Sequence, residues 1–160
     1  MTTAVLQKTP VEAKWNLSRV QQETAGAFAR QCYSTVTTLS KSNPEILKEF
    51  EAVVAAQRVA YFKTLGVKTP IDLVTVMGEF ESNVFGSKIK IVGDDSKASL
   101  EYEACACLNA MEKQLGKVSE EHQKMMGQHF QTICTLMAKE FGFKAEFKFE
   151  EAPYVITFSK

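Results

Sequence analysis

The chain has little of what most functional classes need. Across 160 residues there is no excess of charge of either sign: 19 Lys and Arg balance 19 Asp and Glu. That balance speaks against a nucleic-acid partner, whose phosphates call for a concentrated basic face. No apolar run approaches the ~18 residues that a membrane-spanning helix requires, so no membrane partner is expected. Ala4-Val5-Leu6, the longest apolar stretch near the start, is too short for the core of a secretion signal. Cysteines number four, too few for a disulfide scaffold in a chain that is 45% apolar and 24% charged. These absences predict a cytoplasmic protein with free thiols and an ordinary apolar core. The length suits one domain, residues 1–160, with 1–10 as a loose arm.

The common catalytic signatures are missing too. There is no GxxxxGK[ST], no GxGxxG and no GxSxG. Neither CxxC nor HxxxH occurs, and Gly93-Asp94-Asp95 is a turn with too few ligands for a calcium loop.

What is present is periodic. Leu17, Val20, Thr24, Phe28, Cys32, Thr35 and Leu39 fall at helical steps. Asn43-Pro44 starts a second helix, with Ile46, Phe50, Val53, Val54, Gln57, Tyr61 and Leu65 as its stripe and Gly66 as its stop. Thr69-Pro70 starts a third, carrying Leu73, Val74, Met77, Phe80 and Val84 to Gly86. The period then shortens to two in Lys88–Val92 and Ala98–Ala104, either side of a Gly93–Ser96 turn. A short helix from Cys107 to about Lys117 carries Leu108, Met111 and Leu115 on one side. A longer helix begins at Ser119, with Glu120 and Glu121 in its first turn, and ends at Gly142. Phe143–Phe149 and Tyr154–Phe158 close the chain as a second hairpin. The order is ααα-ββ-αα-ββ, an α+β fold with an antiparallel sheet of about four strands.

The helix from Ser119 to Phe141 carries the unusual chemistry. Its apolar face, Val118, Met126, Phe130, Ile133, Leu136 and Met137, also contains both histidines of the chain, His122 and His129, with Glu140 on the same line. A buried imidazole needs a partner for its N–H, from a core residue or from a ligand. Seven residues rise ~10.5 Å along a helix, so the two rings cannot share one ion. A single axial histidine to a haem has no such constraint, and His129 is the candidate. Cys105, where the second strand passes into a helix, is the candidate reactive thiol, because a helix N-terminus favours thiolate. Cys105 with His129 as base would make a hydrolase of a small substrate.

Residues 86–160 resemble the small-molecule-binding domains of the 4-vinyl-reductase type and the related aminothiazoline-carboxylate hydrolase-like proteins. The resemblance rests on Lys88-Ile89-Lys90-Ile91-Val92, Leu100-Glu101-Tyr102-Glu103-Ala104-Cys105 and Tyr154-Val155-Ile156-Thr157-Phe158, in the order hairpin, cysteine, two helices, closing hairpin. It implies an apolar cavity between helices and sheet. The leading expectation is a domain that binds a small apolar molecule, or a cofactor such as haem or another tetrapyrrole. Tyr102, His122, Met126, His129, Phe130, Ile133 and Phe147 would line the cavity. The alternatives are the Cys105–His129 hydrolase, and a structural or partner-binding protein without a cavity. Zero net charge also favours self-association, a homo-dimer being the simplest form.

Overall fold

The computed structural model describes residues 13–116, 118–150 and 153–160; the arm expected over 1–10 lies outside them. Helix starts follow the capping signals. The Asn16 side chain accepts a hydrogen bond from the Arg19 N–H and opens α1 (Leu17–Ser42). Asn43 accepts from the Ile46 N–H, with Pro44 as first residue of α2 (Pro44–Thr64). Thr69 and Asp72 cap one another reciprocally at the head of α3 (Pro70–Phe80), and the bonds to Asp72 hold its carboxyl below the usual range.

Past Phe80 the helix widens into a π-helical turn, Glu81–Phe85, which Gly86 ends at φ 79°, where a side chain would be strained. Then come β1 (Lys88–Gly93), β2 (Lys97–Ala104), α4 (Ala106–Leu115), α5 (Glu120–Phe141), β3 (Lys144–Lys148) and β4 (Tyr154–Ser159). Ser119 caps α5 by accepting from the His122 N–H.

The strands form one antiparallel sheet in the order β1-β2-β4-β3. The expected α+β architecture and its element order are therefore present. Alternation decides the faces. Ala98, Leu100 and Tyr102 of β2 and Ile156 and Phe158 of β4 are buried against the helices. The other face is polar, with Lys90 and Glu103 paired across β1 and β2 and Ser99 hydrogen-bonded to Thr157. α3 and α5 lie on the apolar face, α2 packs on α5, and α1 packs on α2, α4, α5 and the π turn. Gly78 lets α3 come down onto the sheet: a Cβ there would stand only 3.0 Å from Leu100 Cδ1 and 3.1 Å from Ile91 Cδ1.

On α1 and α2 the packed face is not the expected one. α1 buries Ala25, Gly26, Ala29 and Val36 and leaves Leu17, Val20 and Phe28 exposed. α2 buries Glu51, Ala55, Val59 and Phe62 and leaves Ile46, Val53, Tyr61 and Leu65 exposed. Close helix packing takes the small residues inside, and the larger side chains of the periodic stripe stand outward. On α5 the apolar face is as read, except that Glu140 is exposed.

Candidate functional site

The two histidines do not look into a common space. His129 is 6% exposed, with Nδ1 2.8 Å from Glu51 Oε1 of α2. Its ring stacks on Phe50, at 6.1 Å between centroids. His122 is in the first turn of α5 and half-buried. Its Nδ1 lies 3.1 Å from the Tyr33 hydroxyl and 3.1 Å from the Ser119 hydroxyl, and its ring meets Tyr33 edge-on. Both imidazoles thus have protein partners, which accounts for them as interior residues. Glu51, the partner of His129, is itself 5% exposed. No local pattern marks it, because it lies 78 residues from the histidine it meets.

The remaining expected lining residues are dispersed. Ile133 is in the main core. Phe130 stacks on Phe149, and Phe147 packs on the same ring, near the connected end of the β3–β4 hairpin. Met126 is half-buried on α5. Tyr102 is in the core on β2. A shallow concavity of about 520 Å³ runs along α5 and β3 between Gln128, Gln131, Thr132, Thr135, Leu136 and Phe147. Neither histidine lines it. Glu51 at Nδ1 and Phe50 stacked on the ring occupy His129 with protein partners, and the ring is only 6% exposed.

A different cluster gathers where the π turn, β2 and α4 meet. Glu81, first residue of the π turn, accepts a hydrogen bond from the Ser87 hydroxyl at 3.0 Å. Ser87 is buried, and its Oγ accepts in turn from the Ala106 N–H at the start of α4, at 3.1 Å. This chain ties the π turn to α4. Burial pushes the Glu81 carboxyl above its usual range, against the Ser87 hydroxyl, the Arg58 charge and the Tyr102 hydroxyl, which pull it down. Tyr102, opposite on β2, is 5% exposed, and its hydroxyl makes no hydrogen bond of normal geometry with any described residue. Burial, then the Glu81 charge, raises its phenol well above the usual value.

Cys105, Cys107 and Cys134 stand close enough to this cluster to affect its charges and be affected by them, whereas Cys32 interacts with Arg58 and Cys107. All four are free thiols. Cys105 occupies the N-cap position of α4, as the sequence suggested. Its thiol is nevertheless raised. Burial outweighs the lowering effect of the Leu108 and Cys107 backbone, and Glu81 adds to the rise. Burial likewise raises Cys32 and Cys107, and pushes Cys134 up to about 12. Thiolate is disfavoured at every position, and among the described residues no cysteine is hydrogen-bonded to a histidine. The pairing required of a Cys105–His129 nucleophile and base is not assembled. Nor do three or more His, Cys, Asp or Glu side chains among the described residues gather to hold a metal.

A second concavity, of about 410 Å³, opens beside the cluster between α1, Gly86 and α4. Phe85, Gly86 and Ala106 contribute to its wall, and their backbone is the one that carries Ser87 and Cys105. Gln21 fixes one side by donating its amide to the Ser82 and Asn83 carbonyls of the π turn, at 3.1 and 3.2 Å. Gln114, opposite, accepts from Arg30. Sequence reading placed Tyr102 and Cys105 at a site but missed Glu81 and Ser87. The signal was the Glu81–Gly86 break between helix and strand, which reads only as a helix end.

No family model matches the chain, and no curated protein matches it. Among the described residues, no helix is long and apolar enough to cross a membrane.

Proposed function

We propose that this chain is a small-molecule-binding domain that receives the polar end of an uncharged ligand at Tyr102 and Glu81. The observation that carries the reading is the Tyr102 hydroxyl, buried in the core beside Glu81 with no hydrogen bond of normal geometry to any described residue. An unmet buried hydroxyl costs about 1–3 kcal/mol, and native interiors retain few of them. It stands beside the Glu81 carboxyl, which burial pushes above its usual range. A phenol that donates and a carboxyl that accepts together suit a ligand that offers an acceptor and a donor, such as an amide. They do not suit an anion. The π turn supports the same reading, since such widened turns recur at functional sites. The cleft beside Gly86, at about 410 Å³, is of ligand-pocket size; Tyr102 and Glu81 do not line it but stand behind its Phe85–Gly86 and Ala106 wall. The resemblance of residues 86–160 to vinyl-reductase-type binding domains points to the same class. The anchors are Tyr102 and Glu81 in place of the histidines.

Benzamide, a neutral amide, is a suitable probe, titrated into the full chain to ~10 mM and followed by backbone amide NMR shifts. The expected result is shifts confined to Gly86, Ser87 and Ala106 and abolished by Tyr102→Phe. Absence of shifts there, or shifts unchanged in Tyr102→Phe, would overturn the reading.

A further inference from the structure

Two side-chain amides on the wall of the cleft beside Gly86 are each held in one orientation, and each has an atom left over. Gln21 of α1 donates its amide nitrogen to the Ser82 and Asn83 carbonyls of the π turn, at 3.1 and 3.2 Å. Its Oε1 remains, lying over Gly86 at 3.2 Å from where a Cβ would stand. Gln114 of α4 accepts from the Arg30 guanidinium through Oε1, which leaves Nε2 lying over Gly26. A carbonyl takes only a donor and a guanidinium offers only donors, so neither amide can be turned over. Among the described residues neither remaining atom has a hydrogen-bond partner.

Gly26 belongs to the same arrangement. It lies inside α1, where glycine is less stable than alanine, and its φ is not positive, so no turn requires it. A Cβ at this position would collide with Gln114 Nε2. The glycine is a seat for that amide. Gln21 and Gln114 both line the cleft, as do Glu23 and Lys113, whose charges cancel. The cleft therefore presents one oriented acceptor, one oriented donor and no net charge.

We propose that this cleft recognises a small, neutral secondary amide, whose N–H donates to Gln21 Oε1 while its carbonyl accepts from Gln114 Nε2. A trans amide carries these two groups on opposite sides, which suits partners supplied by two different helices. A cleft of about 410 Å³ has room for such a group with a ring attached. The inference rests on the reading of the cleft as a ligand site, but not on Tyr102 or Glu81, which stand behind its wall.

The test is amide NMR of the full chain with N-methylbenzamide added to ~10 mM, reading the Gln114 side-chain amide and the backbone of Gly86 and Ala110. All three are expected to shift. Methyl benzoate, which has a similar shape without the N–H, is expected to shift them far less. Gln114→Glu keeps an acceptor for Arg30 but presents no donor to the cleft. It should weaken binding about tenfold, with the thermal midpoint unchanged or raised. Gly26→Ala, which displaces the same amide while favouring the helix, should do likewise. No shift with N-methylbenzamide, equal shifts with methyl benzoate, or full binding by a folded Gln114→Glu overturns the proposal. Tyr102→Phe is titrated in parallel. Binding that survives it and is lost in Gln114→Glu removes the Tyr102 anchor alone, whereas the converse removes this inference alone.

Discussion

Two carboxyls of this protein, Glu51 buried and Glu81 half-buried, are treated in opposite ways. Glu51 is sealed between α2 and α5, and an imidazole nitrogen stands 2.8 Å from its oxygen. Glu81 sits where a π turn meets a strand and a helix. It accepts from Ser87 and stands beside a phenol whose hydroxyl makes no hydrogen bond of normal geometry with any described residue. The first pair is complete within the chain, and its chemistry is spent on holding two helices together. The second is incomplete, and an incomplete polar cluster in a low-dielectric interior is where an added molecule gains most. The residue types that looked functional in sequence, the histidines, belong to the completed arrangements. The candidate site joins Tyr102, which the sequence singled out, to Glu81, which looked ordinary.

The comparison is broken most forcefully at the completed pair. Glu51→Ala leaves His129 buried without its partner. It should cost about 3–5 kcal/mol, seen as a lower denaturant midpoint in urea with unchanged slope. His129→Ala should cost a similar amount. Replacing both together, Glu51→Leu with His129→Phe, should recover most of the loss, because no polar group is then stranded. A loss below about 1 kcal/mol for either single change would mean that the pair behaves as a surface contact, and the contrast with Glu81 would disappear.

The order of elements was legible because it is written in period. Apolar residues every three or four positions give way to strict alternation at Lys88, and the caps at Asn43-Pro44, Thr69-Pro70 and Ser119 are local chemistry. The inner faces of α1 and α2 were not legible. Each helix carries two candidate faces, and size favours the wrong one. The contacts that exist are made by Ala25, Ala29 and Ala55, which score low on any hydrophobic ranking yet permit close approach. The site was half legible. Tyr102 and Cys105 stand out on a strand and its end. Glu81 is one acid among 19 acidic residues, and only the π turn and the sheet behind it make it interior. The thiol chemistry was misjudged for a matter of magnitude. The helix terminus does lower Cys105, but burial is the larger effect.

A smaller effect sharpens the comparison through pH. The folded chain holds the Glu81 proton at higher pH than the unfolded chain does, because its carboxyl is raised by burial. Between those two values the folded state binds more protons. Its stability contribution is therefore present below the ordinary carboxyl range and is lost as pH rises through the folded value. Glu81→Gln should flatten that decline, leaving the rest of the stability–pH curve in place. Urea midpoints measured from pH 4 upward in ~1-unit steps would show it. A wild-type curve that rises across this window, or one that Glu81→Gln leaves unchanged, would place the Glu81 proton elsewhere.

The smallest effect is the most discriminating. Tyr102→Phe deletes one oxygen from a site 5% exposed and leaves the ring in the core. If the hydroxyl were a satisfied structural group, its loss would cost about 1 kcal/mol or more. The structure gives it no such partner, so its removal should leave stability unchanged or raise it by up to about 1 kcal/mol. The same change is expected to abolish benzamide binding. A variant that folds as well as the parent and binds nothing would separate a group kept for a ligand from one kept for the fold. His129→Ala, at the completed pair, should do the reverse, lowering stability without selectively removing the ligand. A clear destabilisation by Tyr102→Phe would instead class the Tyr102 hydroxyl with the Glu51–His129 pair, and the interior would then hold two structural clusters and no binding site.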